Sequence, residues 1–318
     1  MPTFSLVITE LIVGNPRESG HEVVGYVAQA FLGLNTLAFV RNTLDSQYRG
    51  QLGPAALWAD QIKYTRGWTW SKGFHFVDAH DDPLGGSCSV SDSRDCKGNC
   101  ILSAITNYTS RVQDTTLPVS EQDIALKFLI HFIGDIGQPL HCEAYEVGGN
   151  SIKEIFDGSH TELHAIWDTK IPDKTIKNSF SGITDYADSL VNRIKSGDYA
   201  SVAASWISCT DPSSLQPKLI ENPALGLDSG SADFNHMTPM LHSERMDLHC
   251  PLVWAQDSNA LVCSTVFTGY DDSDLGGDYY NNNAPVVDQQ LAKSGYRLAA
   301  WLNTIFDGTA LPRESRQT

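Results

Sequence analysis

The stretch from Gln122 to Gly137 restricts this chain more than any other, because it has to be an interior helix that nevertheless carries a charge. Ile124, Leu126, Phe128, Leu129, Ile130, Phe132 and Ile133 cover every side of a 3.6-residue helix, which is the pattern of a helix buried all round. His131 and Asp135 stand four apart and share one face. An isolated buried carboxylate is prohibitively costly, so Asp135 needs a partner. On this helix alone, a His131 hydrogen bond in the core and a shared cation remain open alternatives.

A second pair favours the cation. His164 and Asp168 repeat the HxxxD spacing within HAIWD, and His141 lies in the turn QPLH just after the first pair. Upstream, His21 begins a helical pattern, Asp60 sits in WAD and His75 in FHF. Imidazole nitrogens and carboxylate oxygens without thiolates are the ligand set of catalytic zinc, whereas structural zinc more often uses cysteine. The spacing therefore predicts a polynuclear zinc site. His80, His160, His236, His242 and His249 lie in polar, loop-like context and read as solvated.

Charge limits how such a site can be used. Thirty-eight acidic against 22 basic residues give a formal charge of -16, which argues against gripping nucleic acid through a broad Lys/Arg surface. No stretch approaches the 18 uninterrupted apolar residues of a membrane span.

The periodic segments are helical, over 21–32, 54–64, 100–113, 120–137, 160–170, 182–196 and 285–306. Nothing reads as a set of alternating strands, so the expected class is all-α, a single mainly helical domain. Residues 210–250 lack helical period and are interrupted by Pro212, Pro217, Pro223 and Pro239; they read as an irregular insertion, with Cys209 and Cys250 placed to tie its ends. The seven cysteines leave at least one unpaired. Cys96 and Cys100 lie in a Ser/Gly/Asp-rich loop that suits a tight disulfide better than a metal pair. With the sequon at Asn107, a candidate glycosylation site, that loop points to a secreted protein. Residues 1–18 are an atypical N-terminal segment, since Glu10 interrupts the apolar run and no basic region precedes it.

Taken in order, GHEVVGYVAQAFL, LWADQIKY, FHFVDA, NYT, LKFLIHFIGDIGQPLH, GGN, LHAIWD and SGYRLAAWL resemble the secreted zinc-dependent single-strand-specific nucleases of fungi and plants, the S1/P1 family. The resemblance covers about residues 19–208 and 251–306. It implies a zinc nuclease domain over 19–308 with a trinuclear zinc cleft, a fold shared with zinc phospholipase C, and a tail at 309–318. One Zn2+ is expected on Asp60, His75, His131 and Asp135, a second on His141, His164 and Asp168, and a third on His21 and Asp135. The implied catalytic pair is Asp60 with Lys63, Lys63 offsetting charge that develops on the phosphate. Phe76 would stack a base, Val147 would close its other side and Asp78 would accept hydrogen bonds from the base edge, which favours an unstacked strand. The implied substrates are single-stranded DNA, RNA and 3'-nucleotides, cut to 5'-phosphonucleotides by a protein that is a monomer and needs no membrane. The implied disulfides are Cys88 with Cys263 and Cys96 with Cys100.

Departures from the family are local. Pro16 occupies the place of the tryptophan whose amino group and carbonyl complete the third zinc site, and Gly137 replaces a histidine that is not a ligand. Ser159 and Lys170 stand where some members carry tyrosines of a second nucleotide site, so that site is not expected. Two other readings remain: a zinc phospholipase C-like phosphodiesterase, and a metal-stapled secreted protein without turnover should the third site be incomplete.

Overall fold

The computed structural model describes residues 19–210, 249–270 and 273–310. Pro16 and the rest of 1–18, the bulk of the expected insertion with His236 and His242, and the tail from 311 lie outside the described residues.

In chain order the elements are α1 Ser19–Gln29, α2 Leu34–Thr43, α3 Leu52–Ala56, α4 Trp58–Ile62, α5 Ile101–Gln113 and α6 Val119–Asp135. A hairpin follows, β1 Lys153–Phe156 and β2 Ser159–Glu162. Then come α7 Leu163–Ala165, α8 Ile171–Ser179, α9 Ile183–Lys195, α10 Ala203–Trp206, α11 His249–Leu261 and α12 Asp278–Phe306.

The helix that dominates the sequence is the axis of the fold. Every residue of α6 from Ala125 to Ile133 is buried, enclosed by α1, α2, α3, α4, α5 and α12. Even Lys127 is buried there; its ammonium pairs with Asp123 at 2.7 Å and lies 4.2 Å from the Trp58 ring centre, so the charge is compensated on both sides. A second cluster joins Tyr186, Leu190 and Ile194 of α9 and Trp206 of α10 to Val23 and Val27 of α1 and Tyr296 of α12. A third packs Phe156, Leu163, Ile166 and Trp167 against Val262, Val266, Tyr279 and Val287.

The mainly helical class is as expected, with corrections in detail. The helix expected over 160–170 begins as strand: Lys153–Phe156 pairs antiparallel with Ser159–Glu162 across Asp157-Gly158, both with left-handed backbones, the signature of a two-residue hairpin turn. The expected 54–64 helix breaks at Leu57 into α3 and α4. α12 runs through Pro285 to start at Asp278, although proline removes a helical donor and usually ends a helix. Helix α11 occupies a stretch that carried no helical expectation, and His249 opens it rather than lying in a loop.

Disulfides join Cys88 to Cys263, Cys96 to Cys100, and Cys209 to Cys250, while Cys142 is free and buried. The first two are the pairs implied by the resemblance. The sequon lies on α5, with Asn107 half-buried and the Thr109 hydroxyl accepting from Trp301 Nε1 at 2.9 Å. Among the described residues, no helix is long and apolar enough to cross a membrane.

Candidate metal centre

Separate segments of the chain converge on the C-terminal end of α6. His21 comes from the first turn of α1, Asp60 from α4, His75 from the end of a 3-10 turn at Thr69–His75, and His131 and Asp135 from α6 itself. His141 sits on the 3-10 turn Pro139–Cys142, His164 on α7, and Asp168 in a wide π turn at Ile166–Lys170. The eight residues fall into three adjoining groups: His21, His131 and Asp135; Asp60, His75 and His131; and His141, His164 and Asp168. Within each group the ligand-type atoms lie within 4.8 Å of one another.

Asp135 is the hub. Its Oδ1 lies 3.0 Å from His21 Nε2, and its Oδ2 lies 2.9 Å from His75 Nδ1 and 3.2 Å from His131 Nε2. Gly134 makes room for this approach, since a Cβ there would stand 2.7 Å from His21 Nδ1. The His21 and His131 rings stack at 3.8 Å between centroids. In the third group, His164 Nε2 is 3.1 Å from Asp168 Oδ2 and His141 Nε2 is 3.3 Å from Asp168 Oδ1.

Backbone carbonyls aim three of the rings. The Nδ1 of His131 donates to Ala56 O at 2.6 Å, that of His141 to His75 O at 2.7 Å, and that of His164 to Gly148 O at 2.7 Å. Each bond fixes the tautomer and leaves Nε2 facing the centre as a lone-pair donor, the usual outer arrangement of a metal-binding histidine. His141 Nε2, His75 Nε2 and His21 Nδ1 are buried without a hydrogen-bond partner. Of these, His141 Nε2 faces a carboxylate, 3.3 Å from Asp168 Oδ1, and an imidazole nitrogen so placed fits a cation better than a protein donor; His75 and His21 meet Asp135 through their other ring nitrogens. The donor set fits zinc: imidazoles and carboxylates, with no thiolate.

Protons balance the same acids in the absence of a cation. Burial pushes Asp135 and Asp168 up, but the facing histidines outweigh it and hold both well below the carboxylate range. Asp60 behaves alike, with His131 and Lys63 overcoming burial. Burial pulls His131 and His141 down, and the neighbouring aspartates overcome it, raising them to about 10 and about 9. His75 goes the other way, to about 4, because burial outweighs its bond to Asp135. A divalent cation would displace those protons.

Lys63 Nζ pairs with Asp60 Oδ1 at 2.6 Å. Burial pulls it down, but Asp60 and Asp135 leave it raised, so it stays charged. Backbone bonds Val77 N–H to His141 O and Ala144 N–H to Ala79 O lay the Phe76–Asp78 segment beside the turn that leads to Val147. Phe76 and Val147 are 38% and 68% exposed, so neither is core. Asp78 is half-buried, and burial raises it. His80 and His160 are exposed, as their polar context suggests.

The sequence reading missed the groups behind the candidate ligands. Three are backbone carbonyls, which carry no residue-type signal. The fourth is Gln138, whose Nε2 donates to Asp168 Oδ1 at 2.8 Å; its place as the first residue of QPLH is the hint the sequence offers. A cavity of about 120 Å³ opens beside the centre, lined by Gly20, His21, Asp135, Gly137, Gln290 and Ser294 among others.

The S1/P1 nuclease sequence pattern matches residues 17–307. The chain is 40% identical over 292 residues to Nuclease S1 of Aspergillus oryzae, covering 90% of each protein. It is 38% identical to Nuclease P1 of Penicillium citrinum, over 90% of this chain and 96% of that one. It is also 32% identical to Endonuclease 3 of Arabidopsis thaliana, over 95% of this chain and 93% of the relative. With the match spanning nearly the whole chain and ending just beyond α12, the chain belongs to the S1/P1 nuclease family.

Proposed function

We propose that this nuclease is a secreted, zinc-dependent, single-strand-specific endonuclease that yields 5'-phosphonucleotides and also acts on 3'-nucleotides. The observation that carries the reading is the set of five imidazoles that turn a ring nitrogen toward three aspartates, three of the rings aimed by backbone carbonyls. Asp60, His75, His131 and Asp135 would hold one zinc, His141, His164 and Asp168 a second, and His21 with Asp135 a third. Bound zinc would supply Lewis acidity toward the phosphate and a water of lowered pKa.

The chain's own groups do the rest. Lys63, kept charged by Asp60, offsets negative charge on the phosphate as the bond breaks. Phe76 offers an exposed ring face to a base, Val147 the opposite wall, and Asp78 an acceptor for the base edge. A base can enter only when unstacked, which accounts for single-strand preference. The formal charge of -16 argues against a broad basic face, so capture would depend on cations in the cleft. Three disulfides suit an oxidising compartment.

The test compares release of acid-soluble nucleotides from denatured and native DNA, with and without chelator, alongside zinc analysis. Chelator-sensitive release from denatured DNA alone is expected. Full zinc without any hydrolysis would leave a metal-stapled protein, and release of phosphocholine from lecithin would point to the phospholipase chemistry.

A further inference from the structure

Between the metal helix and His141 the chain makes a turn whose side chains belong to neither. Gln138 sits there, and its amide cannot be turned over. Its Oε1 accepts the Leu140 N–H at 2.5 Å, which only an oxygen can do, so Nε2 is the atom that meets Asp168 Oδ1 at 2.8 Å. Asp168 therefore has two unequal oxygens. Oδ1 is held by this neutral donor and lies 3.3 Å from His141 Nε2, while Oδ2 has no such donor and lies 3.1 Å from His164 Nε2.

Helix α12 holds this turn in place. Gly137 O accepts from Gln290 Nε2 at 2.7 Å, and Gln290 also reaches Ser258 Oγ at 3.3 Å. A Cβ on Gly137 would stand 1.9 Å from Ser294 Oγ. Gln290 and Ser294 are both buried, so neither can swing into solvent to make room. Gly137 does not adopt a left-handed backbone; the demand for glycine here is one of contact, not of conformation.

We propose that Gln138 is a positioning residue for the His141, His164 and Asp168 metal site, and that α12 sets its position by pressing Ser294 against Gly137. The inference rests on reading those three residues as a zinc site. Gln138 acts through Asp168: its donor stops the carboxylate from exchanging its two oxygens and keeps Oδ1 on the His141 side and Oδ2 on the His164 side. Hydrogen bonds to a ligating carboxylate typically alter metal affinity by about 10–100-fold. The residue that has replaced the family's histidine, Gly137, then has a task of its own: it lets the turn sit close enough to α12 for Gln138 to reach Asp168.

The experiment is zinc retention by the full chain. Wild type, Gln138→Met, Gly137→Ala, Gly137→Ala with Ser294→Ala, and His164→Ala are equilibrated across a graded series of chelator-buffered free zinc. Bound zinc per chain is then measured, and the visible absorption of the cobalt-substituted forms recorded. Gln138→Met keeps the side-chain volume and loses both amide functions; Gly137→Ala pushes the turn off α12. Each is expected to release one ion at about 10–100-fold higher free zinc than wild type, with a changed cobalt spectrum. Removing the Ser294 hydroxyl in the double variant is expected to restore retention. Retention equal to wild type in both Gln138→Met and Gly137→Ala, while His164→Ala loses an ion, overturns the proposal. Failure of the double variant to recover overturns the part assigned to α12. If His164→Ala itself binds as much zinc as wild type, it is the metal-site reading that fails.

Discussion

Two acidic clusters draw on the turn at residues 139–145, one through His141 and the other through Glu143, and only the first has the donor set of a candidate metal centre. In the first, Asp135 is 2% exposed and met by His21, His75 and His131. In the second, Asp81 and Glu143 approach each other beside the Cys88 sulfur, but that sulfur is bonded to Cys263 and is no thiolate. There neutral donors meet the acids, though Asp81 Oδ1 is left buried without one. Asn259 Nδ2 reaches Asp81 Oδ2 at 3.1 Å, Cys142 O at 2.9 Å and Glu143 Oε2 at 3.3 Å, while Ser89 and Tyr145 N–H groups donate to Asp81 and Glu143. The electrostatics diverge accordingly. Histidines hold Asp135 well below its usual value, whereas burial, with Asp81 adding to it, raises Glu143 to about 7. Proximity of acids does not make a site; what decides is whether the facing atoms are lone pairs awaiting a cation or N–H groups already donating. The second cluster is a strut between the 80–90 loop, the turn after His141, and α11.

The sharpest division follows from removing each hub. Asp135→Ala is expected to abolish hydrolysis of denatured DNA, because His21, His75 and His131 lose a shared partner at once. Charged imidazoles left buried and unpaired should also cost about 3–5 kcal/mol in the zinc-free protein, read by thermal unfolding in chelator. Asp81→Asn should keep activity within a few-fold. A folded, active Asp135→Ala would break the assignment.

Chelation should separate the clusters next. Stripping zinc is expected to end activity and lower the unfolding temperature, with zinc restoring both. Glu143→Gln should carry as much zinc as wild type; loss of an ion from it would make the strut part of the metal site. Opening the neighbouring disulfide with Cys88→Ser and Cys263→Ser should cost about 2–4 kcal/mol and leave the zinc count unchanged.

How much of this was visible in the sequence depends on what kind of group carries each feature. The eight clustered residues and α6 follow from side-chain type and spacing, or from the motifs they compose, which the string records, whereas the Cys88–Cys263 pairing came only with the family resemblance. The β-hairpin had a signal, Asp157-Gly158, but its strands are short and their outward positions exposed, so no alternation stood out. α2 was hidden because its first residue, Leu34, is 86% exposed and breaks the apolar stripe. The carbonyls of Ala56, His75 and Gly148 that aim the histidines cannot be read from residue type at all. Asn259 lies 116 residues from Glu143, and nothing local to either links them.

The smallest expected effect tests the strut on its own terms, through pH. Glu143 is an acid whose folded value, about 7, lies above the ordinary carboxylate value. Between those two values the folded protein holds a proton that the unfolded chain has lost, so stability declines as pH rises through that window and stays lower above it. The amide introduced by Glu143→Gln would mimic the protonated acid, donating to Asp81 at every pH. Wild type and variant should therefore unfold alike near pH 4.5, and the variant should be the more stable above pH 7, by about 2–4 °C for each kcal/mol relieved. Without zinc the metal centre adds a slope of the same sign in a higher window, since His131 and His141 contribute most below their ordinary value and lose that contribution as pH climbs toward about 9–10. Comparing zinc-loaded samples removes that second slope, because bound cations take the place of the protons. Parallel pH profiles for wild type and Glu143→Gln in the zinc-loaded state would mean that Glu143 is ionised like any surface acid, and the contrast between the two clusters would then rest on geometry alone.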